Sequence, residues 1–122
     1  MQYKINVMNV ENVKSQMRKG VLEYCILLIL SKHEAYVSDI IQALKEARLL
    51  VVEGTLYPLL TRLKNDELLS YSWKESSQGP PRKYYNLSEK GALFLGELEN
   101  SWNELNSTIE SIKSSEQIET TL

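Results

Sequence analysis

The stretch VEGTLYPLLTRLKNDELLSYSWKESSQGPPRKYYNL, residues 52–87, decides the fold. Its first third predicts a helix, because leucines recur at the i, i+3, i+4 and i+7 positions of one helical face. These residues are Leu56, Leu59, Leu60 and Leu63. We expect the helix to begin at Gly54 or Thr55, so that Pro58 lies in the first turn, where its missing N–H costs nothing. The opposite face is small, polar or basic and could lie against DNA. It comprises Pro58, Thr61 and Asn65, flanked by Thr55, Tyr57 and Arg62.

The rest of this stretch predicts two strands and the loop between them. Residues 69–74 alternate apolar and polar side chains, which is the period of a half-buried strand. Residues 82–87 form the return strand, where Tyr84 and Tyr85 point to opposite faces, so that one is expected in the core and the other exposed. The segment SSQGPP, residues 76–81, cannot continue either strand. A helix followed by a hairpin with basic flanks is a recognition helix with its wing, the winged form of helix-turn-helix.

Two further helices are expected before this stretch. Residues 11–31 carry an apolar helical stripe that contains Gly20, which costs roughly 1 kcal/mol relative to alanine. Ser38 caps or opens the second helix. Residues 49–52 are apolar and are expected to form a short third strand that pairs with the wing. Residues 1–10 show no periodicity and predict a loose arm.

The last part of the chain predicts one long helix with a heptad seam. Ser88 caps its start, and Glu89 lies near the positive end of the helix dipole. Apolar residues then recur at spacings of 3 and 4. This seam consists of Leu95, Leu98, Trp102, Leu105, Ile109 and Ile112. So narrow a seam at the end of a small domain favours packing on a partner chain. The alternative is packing on the chain's own first helix, and both hold if a dimer interleaves the two helices.

These elements predict a mainly α (α+β) fold. We divide it into a winged helix-turn-helix domain with its N-terminal helix, residues 1–87, and a C-terminal dimerisation helix with a polar tail, residues 88–122. The single cysteine, Cys25, allows no disulfide framework within the chain, which fits a reducing cytoplasm. The apolar run at residues 25–30 is too short to cross a bilayer, and no signal peptide is visible. We therefore expect a cytoplasmic protein with no membrane partner.

The charge is unevenly distributed along the chain. The formal net charge is −2, which taken alone argues against DNA binding. Residues 97–122, however, carry six acids and one base, a net of −5, and the remaining residues carry 13 bases and 10 acids, a net of +3. Such asymmetry permits a basic DNA-binding face on an acidic protein.

Ordered motifs over about residues 11–105 resemble the PadR family of bacterial winged-helix transcriptional regulators. The matching pieces are KGVLE at 19–23, GTLYP at 54–58, Arg62-Leu63, Trp73, PPRKYY at 80–85, Leu87 and Gly91. The short tail after Trp102 resembles the small LmrR-like subfamily, which has one C-terminal helix. Family members commonly carry Tyr-Gly where this chain has Tyr36-Val37, so the backbone there must avoid positive φ.

The resemblance implies a homodimeric, sequence-specific DNA-binding repressor whose affinity is altered by a small molecule. Two recognition helices would read a near-palindromic operator in double-stranded DNA. The candidate DNA-binding residues are Thr55, Tyr57, Thr61, Arg62 and Asn65 on the helix, Lys74, Arg82 and Lys83 on the wing, and Lys19 on the first helix. Two of them have structural alternatives, because Tyr57 could pack on the wing and Arg62 could pair with Asp66 at i, i+4.

Trp102 marks a candidate effector site. An indole is too bulky to mesh cleanly in a narrow helix seam, and its N–H needs a partner. In LmrR-like relatives a tryptophan at the matching position stacks on flat aromatic drugs in a pore at the dimer centre. Here the walls would be Trp102 with Leu98 and Asn103, together with Ser15 or Met17 of the other subunit's first helix. The alternative is that Trp102 fills the interface core.

The same residues exclude several other classes of function. The chain has no Gly-rich phosphate loop, no metal-spaced ligand set and no nucleophile–base pair, so no enzyme, metal or cofactor is expected. His33, the only histidine, is expected on a surface loop. A winged-helix module that binds protein and never DNA stays open as the second hypothesis, because a fold does not fix a function. The basic wing argues against it.

Overall fold

A computed structural model describes residues 7–115 of the chain, with side chains from residue 9 onward. Its elements, in chain order, are helix α1 (Val7–Lys32), α2 (Val37–Glu46), α3 (Glu53–Asn65), strand β1 (Leu69–Ser76), β2 (Gly79–Leu87) and α4 (Glu89–Lys113). The two strands form one antiparallel sheet. The mainly helical, winged helix-turn-helix prediction is therefore confirmed. Among the described residues, no helix is long and apolar enough to cross a membrane.

The first two helices begin earlier than the sequence pattern predicts. Helix α1 already starts at Val7, so part of the predicted arm is helical, while residues 1–6 lie outside the described range. Helix α2 is capped at Tyr36, and Ser38 is its second residue, so the prediction that Ser38 caps or opens the helix is wrong. The reason is that the Asp39 carboxylate accepts from the Tyr36 N–H at 3.3 Å. This bond gives the backbone N–H of the cap residue Tyr36 an acceptor that it would otherwise lack at the start of the helix.

The predicted third strand of the wing is absent from the described residues, and a single bridge from a different segment pairs with β2 instead. Residues 49–52 form no strand, because Arg48 adopts a left-handed φ of 68° and turns the chain sharply after α2. The backbone after α1 takes their place: the Ala35 N–H donates to the Tyr85 carbonyl at 3.2 Å, and the Tyr85 N–H donates back at 2.8 Å. This single bridge ties the wing to the turn between α1 and α2.

Pro58 lies deeper in its helix than the sequence analysis expects. Helix α3 begins at Glu53, and the N–H groups of Thr55 and Leu56 both donate to the Val52 carbonyl. Pro58 therefore lies in the second turn, where its missing N–H leaves the Gly54 carbonyl without its intrahelical donor. Both residues are exposed, so water can reach that carbonyl.

The wing is longer and its turn tighter than predicted. Strand β2 begins at Gly79 and contains Pro80 and Pro81, so the prediction that both prolines belong to the turn is wrong. The register pairs Leu69 with Leu87 and Lys74 with Arg82, and a shift between Lys74 and Ser76 accommodates the prolines.

The core lies where the three N-terminal helices meet the base of the wing. Its fully buried side chains are Ile26, Leu27, Ile40, Leu44, Leu56 and Leu60. Tyr85 joins this core at 3% exposure, whereas Tyr84 is half-buried on the opposite face of β2, as their alternation predicts. Leu95 and Leu98 of α4 pack against the same core as half-buried residues. The first part of the heptad seam thus covers the chain's own domain.

Candidate nucleic-acid interface

The polar face of α3 is presented to solvent as the leucine spacing predicts. Leu56, Leu60 and Leu63 are buried, which turns the opposite side of the helix outward. That side carries the predicted contact residues Thr55, Tyr57, Thr61 and Asn65, all exposed. Tyr57 is 48% exposed and has no ring contact with the wing in the described structure. Its ring and the neighbouring hydroxyl and amide groups form a surface able to donate and accept hydrogen bonds.

Arg62 is held by α1 and not by its own helix. Its guanidinium forms an ion pair with the Glu23 carboxylate, so the alternative pairing with Asp66 is wrong. The 100° step per residue turns Arg62 toward the α1 side of α3, where a half-buried carboxylate competes for it. Any phosphate contact by Arg62 must therefore share or displace Glu23.

One face of the wing carries two of the predicted cations. Lys74 and Arg82 are opposite each other in the register and share the face toward the turn between α1 and α2. Lys74 forms an ion pair with Glu34. Arg82 donates from Nη1 to the Tyr36 hydroxyl at 3.0 Å, and its guanidinium carbon lies 4.7 Å from the Tyr36 ring centroid. These contacts fix both side chains against the body of the domain.

The other face of the wing carries Lys83. Its ammonium nitrogen lies 4.0 Å from the Tyr71 ring centroid and 5.3 Å from that of Tyr85. Lys64, from the last turn of α3, reaches the same Tyr71 ring at 5.4 Å. Trp73, exposed at 62%, meets Tyr71 edge-on. Lys64 is not among the residues predicted from the sequence, although a base in the last helical turn before a wing is a signal that could have indicated it.

Lys19 lies beside the N-terminal end of α3. A cleft of about 380 Å³ is lined by Ser15, Arg18 and Lys19 of α1, by residues 49–52 and by Thr55. The structure therefore brings Lys19 and Thr55, which are distant in the chain, to one side of the domain. The exposed bases at this end extend the polar surface of α3 toward α1.

The residues around Trp102 are only partly brought together in one protomer. Leu98, Trp102 and Leu105 line a 240 Å³ cleft against Gly20, Val21 and Tyr24 of α1. The rings of Tyr24 and Trp102 are 6.4 Å apart. The cleft does not include Asn103, Met17 or Ser15, the last of which lines the cleft beside Lys19.

The pKa of the Tyr24 phenol is raised above its ordinary value. Desolvation by its neighbours raises the pKa of this phenol, and the negative charge of Glu99 raises it further. The raised pKa further favours the neutral phenol beside Trp102. Among residues 7–115, no cluster of histidine, cysteine and acidic residues could hold a metal ion.

Comparison with known proteins assigns the family. Residues 26–97 match the family described as "Transcriptional regulator PadR-like family". A PadR-like transcription factor structure from Bacteroides fragilis is 76% identical, covering 83% of this chain and 98% of that one, with a TM-score of 0.72. A PadR-like transcriptional regulator from Bacillus cereus is 40% identical over 83% of this chain and 99% of that one, with a TM-score of 0.73. A PadR family regulator from Eggerthella lenta is 29% identical, covers 88% and 91%, and has a TM-score of 0.76.

The matched relatives are transcriptional regulators and not enzymes, which agrees with the function class that the sequence predicts. The family match spans the core, the recognition helix and the wing in one continuous segment. This chain therefore belongs to the PadR-like family of transcriptional regulators.

Proposed function

We propose that the chain is a homodimeric, sequence-specific DNA-binding repressor that responds to a small molecule in the cytoplasm. The observation that carries the DNA-binding part is the exposed polar face of α3 beside a wing with cations on both faces. Such a helix fits the major groove, while the wing contacts the adjacent backbone or minor groove. Thr61, Tyr57 and Asn65 face outward and are the candidates for reading bases.

The homodimer is supported by apolar surface that one protomer leaves uncovered. Beyond Leu98, the seam on α4 stays exposed, with Trp102 at 43%, Leu105 at 56%, Ile109 at 50% and Ile112 at 55%. The N-terminal half of α1 also exposes Val10, Val13 and Met17. Continuous apolar stripes of this kind on a small domain are typical of subunit interfaces. A symmetric dimer places two recognition helices about one DNA turn apart, roughly 34 Å, and so selects a near-palindromic operator.

The proposed response to a small molecule depends on Trp102. Its indole is partly exposed beside Tyr24, which leaves an aromatic surface for a planar aromatic effector. Asn103 and the other subunit's Ser15 or Met17 are the further walls that the sequence suggests. The single C-terminal helix is the feature on which the LmrR-like assignment rests.

A mobility-shift assay with the DNA upstream of the chain's own coding region tests DNA binding. Arg82→Ala and Lys83→Ala are expected to weaken binding to every sequence and to flatten its salt dependence. Thr61→Ala is expected to blur sequence preference instead. The repressor function is contradicted if the protein shifts neither this upstream DNA nor any operator selected from random sequences. That outcome would favour the protein-interaction module.

The dimer is tested by light scattering of Leu105→Glu and Ile109→Glu, which place a charge in the exposed seam. Both variants are expected to be monomers, whereas Asn100→Glu, an exposed position on the same helix, should stay dimeric. Leu98→Glu is less informative, because Leu98 also packs on the chain's own core. A dimer mass that is unchanged in both seam variants shows that the interface lies elsewhere.

The effector site is tested by tryptophan fluorescence, excited selectively over tyrosine, in a Trp73→Phe background where Trp102 is the only tryptophan. Planar aromatic compounds are expected to quench this emission saturably. Because Trp102→Ala removes the emitter, its affinity for the compound is measured by calorimetry. Undiminished affinity in this variant, with the dimer intact, places the pocket elsewhere.

A further inference from the structure

Three side chains meet in the valley between α3 and the wing, which we define by Lys64, Tyr71 and Lys83. The two ammonium nitrogens lie 5.4 and 4.0 Å from the centroid of the one Tyr71 ring. Tyr71 is itself held by Trp73, edge-on at 6.4 Å, and by Tyr85 at 6.2 Å. Because Tyr85 is buried, the exposed Tyr71 ring is in contact with a residue of the core.

Lys64 and Lys83 differ from Arg62 and Lys74 in what neutralises their charge. Arg62 is paired with Glu23, and Lys74 is paired with Glu34. In the part of the chain that the structure describes, Lys64 and Lys83 have no carboxylate partner. Both lie over the Tyr71 ring, and Lys83 also lies 5.3 Å from the Tyr85 ring centroid. A neutral ring offsets part of the repulsion between two like charges but cannot cancel it. An anion placed near both would relieve it.

The position of the valley between α3 and the wing indicates that this anion is the phosphate backbone of DNA. In a winged helix on DNA, the recognition helix lies in the major groove and the wing contacts the neighbouring backbone or minor groove. The strand that separates those two grooves must then cross the space between helix and wing. Lys64 belongs to the helix and Lys83 to the wing, and both ammonium groups lie near the Tyr71 ring, so a strand that crosses there passes near both.

We propose that Lys64 and Lys83 together bind the DNA backbone as it crosses this valley, with Tyr71 as their positioning residue. This assignment rests on the proposed DNA binding and adds Lys64 and Tyr71 to it. The ring restricts the rotamers of both lysines before DNA arrives, so less side-chain freedom is lost on binding. Lys64 lies next to the recognition surface, and unlike Arg62 it has no carboxylate that must release it before it binds a phosphate.

The arrangement is tested first without DNA, by NMR of the full-length protein. The ring current of Tyr71 should shift the ε-methylene signals of Lys64 and Lys83 away from those of lysines that have no ring contact, such as Lys90. Tyr71→Phe is expected to keep these shifts. Tyr71→Leu is expected to abolish the shift of Lys64 and to reduce that of Lys83, which also lies near the Tyr85 ring. Lysine signals at ordinary positions in the wild type would overturn the positioning role of the ring, whatever the protein binds.

The DNA contact is then tested by affinity for a selected operator at several salt concentrations. Lys64→Gln should lower the magnitude of the slope of log K against log salt by about 0.9. The ratio of wild-type to variant affinity should therefore be about eightfold larger at 0.1 M salt than at 1 M. Lys90→Gln removes the same charge from α4 and serves as the matched control. Tyr71→Leu keeps the net charge but should weaken binding severalfold, Tyr71→Phe should not, and Lys64→Gln should cost less in the Tyr71→Leu background.

The outcomes separate this assignment from the proposed function. A wild-type protein that binds no DNA overturns both. Wild-type binding in which Lys64→Gln behaves like Lys90→Gln overturns only the valley contact. If Tyr71→Leu binds the operator as tightly as the wild type, and its circular dichroism spectrum shows that it is folded, the positioning role of Tyr71 is overturned. Because Lys64 is exposed on a helix surface, its variant should fold even where Tyr71→Leu does not.

Discussion

Replacing Gly91 by alanine should destabilise the protein, although alanine is the better helix former. Gly91 lies in the first turn of α4 and is buried. A Cβ at this position would lie 2.0 Å from the Leu68 carbonyl oxygen and 2.8 Å from Leu87 Cδ1. The oxygen belongs to the backbone and also accepts from the Ser88 N–H at 3.0 Å. Ordinary contact begins at 3.4 Å, so the start of α4 must move by about 1.4 Å.

The size of the effect follows from three contributions. Overpacking a core typically costs 1–3 kcal/mol, that is about 2 kcal/mol here. Straining the hydrogen bond to the Leu68 carbonyl costs about 1 kcal/mol more. The higher helix propensity of alanine returns roughly 1 kcal/mol. We therefore expect the free energy of unfolding to fall by about 2 kcal/mol and Tm to fall by about 8 °C.

Urea and thermal unfolding at one fixed protein concentration measure this change, with Gly96→Ala as the matched control. Gly96 lies in the same helix, and an added Cβ there meets nothing within 4 Å. Its substitution should therefore stabilise the protein by roughly 0.5–1 kcal/mol. The two variants thus have opposite expected signs. If Gly91→Ala is as stable as Gly96→Ala, the close approach of α4 to Leu68 is not a property of the folded protein.

Three further predictions concern single contacts. Ser88→Ala removes the α4 cap and the hydroxyl that donates to the Glu67 carbonyl, so the free energy of unfolding should fall by about 1 kcal/mol in urea titrations, and an unchanged midpoint would contradict this. Glu23→Gln should release Arg62 and tighten DNA binding severalfold at low salt by fluorescence anisotropy; weaker binding would show that the pair orients Arg62 productively. Burial raises the pKa of the Cys25 thiol, so at pH 8 a thiol reagent should label the folded protein more slowly than the urea-unfolded chain, with equal rates as the contrary result.

The sequence was sufficient to predict elements whose cause is local. Leucine spacing predicts which side of α3 is buried, and Ser88 caps α4 because its own hydroxyl accepts from the Gly91 N–H at 2.9 Å. The wing was predicted from alternation, but its exact turn was not. Prolines are excluded from central strands, whereas a two-stranded ribbon with a register shift accepts Pro80 and Pro81.

The partners of the surface charges could not be predicted, because they come from distant parts of the chain. Arg62 is paired with Glu23, 39 positions earlier, although a carboxylate four residues away on its own helix seemed available. Lys64 contacts the ring of Tyr71 only because the chain turns back between α3 and β1. Helical spacing fixes the direction of such side chains, whereas only the packing of α1 and the wing fixes what they meet.

The two prolines of β2 have a consequence beyond the shape of the wing. A ribbon of two strands has an outer edge on each side, and exposed edges can recruit a strand from another molecule and start aggregation. Pro80 and Pro81 have no N–H to offer such a strand, and they lie in the half of β2 farthest from the Ala35 bridge. The edge of β2 at the exposed tip of the wing therefore offers fewer donors for intermolecular β-pairing.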